Sequence, residues 1–390
     1  MSIEGEIKIE VGGQQGQVNS VTITSSRPLH ITKLFESKSI FSVSSLLNTL
    51  YQLCNTAHQF AYIRLLDESG VIKLSQNEKL AYQLLLDLET IREHCFSIAS
   101  KWRQESDESV DIKIVNVLAT IKEIVAALFP GAEPLSLKDK NLQGFSSIEE
   151  LVAKLEVQLG ELLIGDNEDA FSQFSDVGHF EMWLQNSDSR SATFLNYLKE
   201  NKFDRIGKID VKHMPDINLR NLDTLMQSPN FIKQPEYQGY VFETTPLSRQ
   251  SQHSLIKQLT EIYGNSLFTR SVAQLLEVFE LLKSVKHNYV NLEAEAISYQ
   301  FQYSGDESST IVKVDAARGN LVHQMCMDQV NIKSYKILAP TEWNFHPQGV
   351  LAKMIQTLSY QDDEDLFNQI KLLVNAVDPC VGFSIEIKHA

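Results

Sequence analysis

Residues 77–102 read NEKLAYQLLLDLETIREHCFSIASKW, and this stretch reads as one long helix. The helical reading continues on both sides. Upstream, from 40 to about 66, Leu46, Leu47, Leu50, Leu53 and Cys54 fall on one helical face. Downstream, 110–128 reads as a third helix, ended by Pro130-Gly131. Residues 41–130 therefore predict a helical core. Toward the N-terminus the period changes. Ile3, Ile7, Ile9 and Val11 lead to a turn at Gly12-Gly13, and Val18, Val21 and Ile23 then alternate with polar neighbours. That pattern predicts a β-hairpin within residues 1–40.

The other end of the chain has a matching change of period. Helices are expected over 247–263 and 269–289, followed by strands over 297–303, 310–315, 320–330 and 333–338. Helices over 349–358 and 364–377 lead to the tail, so 266–390 reads as a helix plus a β-rich C-terminal segment. The middle, 131–265, is less regular. Residues 146–163 read as a helix with Ser146 and Glu149 at capping-box spacing. Residues 165–189 are polar and read as loop, and 204–246 as mixed with strand fragments. The sequence has neither an internal repeat nor a low-complexity tract. The expectation is one α+β unit over 1–390, mostly helical, with long central helices and a β-layer formed by the N- and C-terminal segments.

Composition narrows the partners. Lys plus Arg number 35 against 50 for Asp plus Glu, a formal net charge of −15. Nucleic acid needs clustered cations, so it is an unsuitable partner, as is an anionic membrane surface. No run approaches the roughly 20 apolar residues of a membrane span. The first ten residues, MSIEGEIKIE, lack a secretory apolar core. A cytoplasmic location is expected. Four cysteines in 390 residues are then expected as free thiols.

Local chemistry alone names no function. Cys54 and His58 stand four residues apart, a spacing that puts both on one helical face. The pair could converge on one ion, yet a buried cysteine is more often a small hydrophobe. Cys380 lies in Asp378-Pro379-Cys380, a turn directly after a helix, without a CxxC or a histidine at metal spacing. Cys95 and Cys326 read as core residues within a helix and a strand, and His94 as a helix-face histidine with a local hydrogen bond. Ala317-Arg318-Gly319 and Pro340-Thr341-Glu342-Trp343-Asn344 read as loops between strands. P-loop, dinucleotide-binding, nucleophile-elbow and zincin motifs are all missing from the sequence.

Taken in order, these pieces resemble the landmarks of the large subunit of [NiFe] hydrogenases. Ile3-Glu4-Gly5 with Ile7-Lys8-Ile9-Glu10 resembles its opening strand, and Lys33-Leu34-Phe35-Glu36 a degraded segment that follows. Leu53-Cys54-Asn55-Thr56-Ala57-His58 resembles the end of its RxCGxCxxxH motif. Leu85-Leu86-Asp87-Leu88-Glu89 with His94, and Arg270 with Glu277, resemble two of its helices. Ala317-Arg318-Gly319 with His323, Pro340-Thr341-Glu342-Trp343-Asn344 and Asp378-Pro379-Cys380 are similar to its last three motifs. The resemblance covers nearly the whole chain, loosely over the middle.

The departures define what it implies. Tyr51 stands where the family has the first cysteine of its N-terminal pair, and Phe383 where it has the second of its C-terminal pair. Only Cys54 and Cys380 of the four metal-binding thiolates remain. Glu386 replaces the histidine after which the family's C-terminal extension is removed, and four residues follow it. This pattern is similar to the hydrogenase accessory proteins of the HupK/HoxV type. The resemblance implies a non-catalytic assembly scaffold without catalytic residues. It would hold an Fe(CN)2(CO) fragment transiently on Cys54 and Cys380, without nickel, and transfer it to the hydrogenase large-subunit precursor. His58, Arg318 and Thr341 would form the cofactor environment, the latter two donating to the cyanides. The implied partners are that precursor and the cyanide- and iron-loading maturation complex. The alternatives are a metal-free chaperone or docking protein for hydrogenase assembly, and a divergent catalytic subunit.

Overall fold

The computed structural model describes residues 5–102, 112–165, 174–303 and 308–389. The chain opens with a hairpin, β1 (Glu6–Gln14) and β2 (Gln17–Ser25). Its two-residue loop, Gln15-Gly16, has φ of 54° and 75°, the left-handed pair that matches the strand twist. At Gly12-Gly13, where the turn was expected, β1 continues and β2 bulges opposite it, Asn19 being left out of the pairing.

After a 3-10 segment at Leu29–Phe35 come α1 (Ile40–Leu50) and α2 (Asn55–Glu68). The single helix expected over 40–66 is therefore broken at 51–54. Leu53 turns outward, and Cys54 becomes the N-cap of α2 rather than a residue on a helical face. Next is α3 (Gln76–Lys101), the long helix expected, started by a capping box between Ser75 and Glu78. Beyond it lies α4 (Ile112–Leu128); the expected start at 110 falls outside the described residues.

The middle of the chain departs most from expectation. The short strand β3 (Lys140–Leu142) precedes α5 (Glu149–Leu159), which runs into a π-helical turn at Gly160–Ile164. Ser146 and Glu149 form no capping box, because Ile148 is the N-cap. Helices α6 (Val177–Asn186) and α7 (Arg190–Glu200) follow, so a polar stretch expected as loop holds a helix capped by Asp176. Residues 204–246 carry no strand pairing beyond isolated bridges, and contain α8 (Leu219–Leu225) and α9 (Pro229–Lys233). The helix expected over 247–263 is two, α10 (Pro246–Gln250) and α11 (Ser254–Tyr263).

The long α12 (Leu267–Tyr289) packs along α3, and these two helices form the centre of the molecule. The strand expected over 297–303 shrinks to β4 (Glu295–Ile297), which pairs with β3. The antiparallel sheet β5 (Thr310–Ala316), β6 (Gly319–Asp328), β7 (Asn331–Leu338) follows as expected. The helices α13 (Pro340–Asn344), α14 (Val350–Gln356) and α15 (Asp363–Val377) lead to β8 (Gly382–His389). Strand β8 lies parallel to β1 and completes the sheet β2-β1-β8. The β-layer built from both chain ends is thus present. Its inner face brings Ile7, Ile9, Val11 and Ile23 into the main core. The fold is α+β and mostly helical.

Among the described residues, no helix is long and apolar enough to cross a membrane.

Candidate functional site

Sheet register decides where the two chain ends meet. Ile7 pairs with Ser25 on one side and with Phe383 on the other. Arg27, two residues past β2, and Cys380, two residues before β8, therefore leave the same end of the sheet. Gly5 permits the close approach there. It has φ of +80°, and a Cβ on it would stand 2.7 Å from the Arg27 backbone.

Cys54 reaches this place from the helical core. The first amides of α2 have no partner within the helix. Glu89 of α3 supplies one, accepting from Thr56 N at 2.7 Å and Ala57 N at 2.9 Å. The carboxylate thus fixes the turn that carries Cys54. Cys380 is held in a similar way. Helix α15 ends at Asp378, whose φ of +56° turns the chain into Pro379-Cys380. The Asp378 carboxylate pairs with Lys101 and lies 3.3 Å from Arg318 Nε, which also donates to the Asp378 carbonyl at 3.2 Å. Burial alone would raise this carboxyl, but Arg318 and Lys101 hold it below the ordinary range.

The two sulfurs face each other as a hydrogen-bonded pair, with Cys54 donating to Cys380. That bond, aided by Arg318 and Arg27 against the effect of burial, brings the Cys380 thiol down to about 7. The same bond and burial push Cys54 well above its ordinary value. Both thiols are half-buried and line a cavity of about 50 Å³ with Arg27, Tyr51 and Glu342. A space of that size holds a few water-sized groups. Arg27 donates to Glu342 Oε1 at 2.6 Å, and Glu342 Oε2 accepts from Ala339 N at 3.1 Å.

Arg318 is buried on the β5–β6 turn, not a surface loop residue, and donates to Glu93 Oε2 at 3.0 Å. Gly319 next to it has no room for a side chain, since a Cβ would stand 2.2 Å from Thr244 O. His58 does not pair with Cys54. Its ring stacks on Tyr51 at 3.8 Å, and its Nδ1 lies 2.9 Å from His323 Nε2. Burial holds both imidazoles neutral, His323 at about 3. Thr341 is buried on α13, one residue before Glu342, and is not part of the cavity wall.

The structure thus joins Cys54 and Cys380, puts the Arg318 charge beside them, and leaves His58 behind Tyr51. His94 is not locally bonded: it is buried, and its Nε2 meets Glu277 Oε2 of α12 at 2.8 Å. Cys95 is core, whereas Cys326 is half-buried in β6, opposite a bulge in β7. Arg27, Glu89, Glu93, Lys101 and Asp378 were given no role by sequence pattern. Of these Asp378 had a signal in its place directly before Pro379-Cys380, and Glu89 in the Leu85-Leu86-Asp87-Leu88-Glu89 stretch. Among the described residues, no group of three or more His, Cys, Asp or Glu side chains is arranged to hold a metal ion.

This architecture is that of a [NiFe] hydrogenase large subunit. The reduced Ni-Fe-Se hydrogenase of D. vulgaris Hildenborough superposes with a TM-score of 0.70 at 15% identity, covering 94% of each chain. No protein-family model matches the chain. Along its full length it is similar to hydrogenase expression/formation proteins named HupV and HupK. HupV of Azotobacter chroococcum mcd 1 is 25% identical over 99% of both chains. HupK of Bradyrhizobium diazoefficiens is 22% identical over 100% of this chain and 99% of its own.

Proposed function

We propose that the protein is a non-catalytic scaffold of hydrogenase maturation, which holds an Fe(CN)2(CO) fragment as cargo and passes it to the large-subunit precursor. The observation that carries this reading is the pair Cys54 and Cys380 on a small cavity lined by Arg27, with the buried Arg318 guanidinium near enough to act on the Cys380 thiol. A bare divalent ion at a structural thiolate site needs about four protein donors. Two sulfurs suit an iron that brings three strong-field diatomic ligands of its own. Such a fragment gains one negative charge from each thiolate that binds it, and the two guanidiniums offset that charge. Arg27 has donors free of Glu342 and lines the cavity, so it suits a cyanide nitrogen better than Thr341, which lies behind the wall. The names of the relatives support a role in hydrogenase formation. The cytoplasm and the iron-loading complex are the setting and the donor this reading requires.

The test is infrared spectroscopy on protein purified without oxygen from a hydrogenase-making host. Bands of CO and cyanide are expected on the wild type. They should be lost in Cys54→Ser and Cys380→Ser and kept in Cys95→Ser and Cys326→Ser. A wild type that supports maturation without those bands would favour a metal-free docking protein on the same fold. Hydrogen turnover by the purified chain would point to a divergent catalytic subunit.

A further inference from the structure

We infer that Cys54 and Cys380 form a reversible disulfide, a covalently closed state of the cavity that excludes cargo. The inference rests on the cargo reading for its meaning, and on geometry for its chemistry. Both thiols line one small cavity and are half-buried there. Neither cysteine sits inside a regular element. Cys54 is an N-cap with φ −116° and ψ 40°, and Cys380 lies on the short turn between α15 and β8. Both can make the small shift that an S–S bond of about 2.05 Å requires. Within a helix or a paired strand, the hydrogen-bond ladder would resist it.

The oxidant fitting a cavity of about 50 Å³ is small. Hydrogen peroxide, the size of two waters, meets that limit. The Cys380 sulfur attacks one peroxide oxygen, the O–O bond breaks, and the departing hydroxide takes a proton to become water. Cys380 is then a sulfenic acid. The Cys54 sulfur attacks the Cys380 sulfur, the S–O bond breaks, and the second hydroxide leaves as water with the Cys54 proton. Two thiols and one peroxide have become one disulfide and two waters. A dithiol reductant reverses the state by exchange, leaving as its own disulfide. An oxygen-sensitive iron fragment gains from a carrier that cannot be loaded until its site is reduced.

The experiment uses cargo-free protein, so its result is separate from the infrared test. The fully reduced chain is treated with one equivalent of hydrogen peroxide and followed by intact mass and thiol titration under denaturing conditions. The expected result is the loss of two hydrogen masses, a fall from four titratable thiols to two, a cross-linked pair of peptides carrying Cys54 and Cys380, and full recovery with dithiothreitol. The Cys95→Ser, Cys326→Ser variant is expected to close in the same way. Cys54→Ser is expected to stop at a sulfenic acid on Cys380 that dimedone traps. Oxygen addition to the wild type without loss of hydrogen, or a bridge through Cys95, Cys326 or a second chain, would overturn the inference. Closure in protein that never shows CO or cyanide bands would uphold the disulfide and sink the cargo reading alone.

Discussion

Cys54 and Cys380 come together because buried charges from other elements pin the backbone beside each. Glu89 ties down the start of α2, and Lys101 and Arg318 tie down Asp378. Arg27 is part of the same design from a third direction. It pairs with Glu342 in a buried setting, the arrangement in which removing one partner is most costly. Arg27→Met should lower stability by about 3 kcal/mol, because Glu342 is left buried without its cation. Arg27→Met with Glu342→Gln should recover a good part of that loss while still reducing iron retention. Urea unfolding of the two variants decides the point, and equal losses in both would refute the pairing argument. None of this was legible from local pattern. A buried ion pair joins residues far apart in sequence, and Arg27 follows a strand with nothing in its neighbours to mark it. The thiols were legible as motif fragments, but the spacing of Cys54 and His58 misled. Same-face geometry assumes an unbroken helix, and the chain bends between them and α1.

At the scale of elements, length decided what could be read. Helices α3, α12 and α15 and strands β5 to β7 were expected nearly as they stand, since each repeats its apolar period several times. Helices α8 and α9, of one to two turns, offer too few repeats to register. The contact of α3 with α12 also buries Asp87, which accepts from Ser284 Oγ at 2.7 Å and Gln83 Nε2 at 2.8 Å. Burial raises its carboxyl to about 6. The folded protein thus holds this proton more tightly than the unfolded chain. Asp87 adds stability below the unfolded value near 3.9, and that contribution is lost as pH rises through about 6. Asp87→Asn keeps the acceptor for Gln83 and removes the charge. Its stability relative to wild type should improve by about 1 kcal/mol between roughly pH 5 and pH 8. Denaturation curves at both pH values test this. A pH-independent difference would mean that the carboxyl titrates as an exposed one does.

For the whole molecule, the β2-β1-β8 sheet is the feature that makes a site out of two chain ends. It delivers Cys380 and Arg27 together, while the helical core delivers Cys54 and, behind it, Tyr51. At the two positions where the sequence resemblance implies further thiolates, Tyr51 lies in the cavity wall and Phe383 is half-buried in β8. The Tyr51 ring is fixed by its stack on His58, so it cannot swing aside to admit another donor without breaking a buried contact. Nickel in a thiolate site is held by soft donors. On the proposed reading, two sulfurs that hold one iron would leave nickel no coordination sphere. Protein from a nickel-supplied host should therefore contain far less than one nickel per chain, whether or not iron is bound. Metal analysis of the purified chain measures this directly. One nickel per chain would mean that Tyr51 or a neighbouring group ligates it, and that the site completes a bimetallic centre rather than serving as a place of transit.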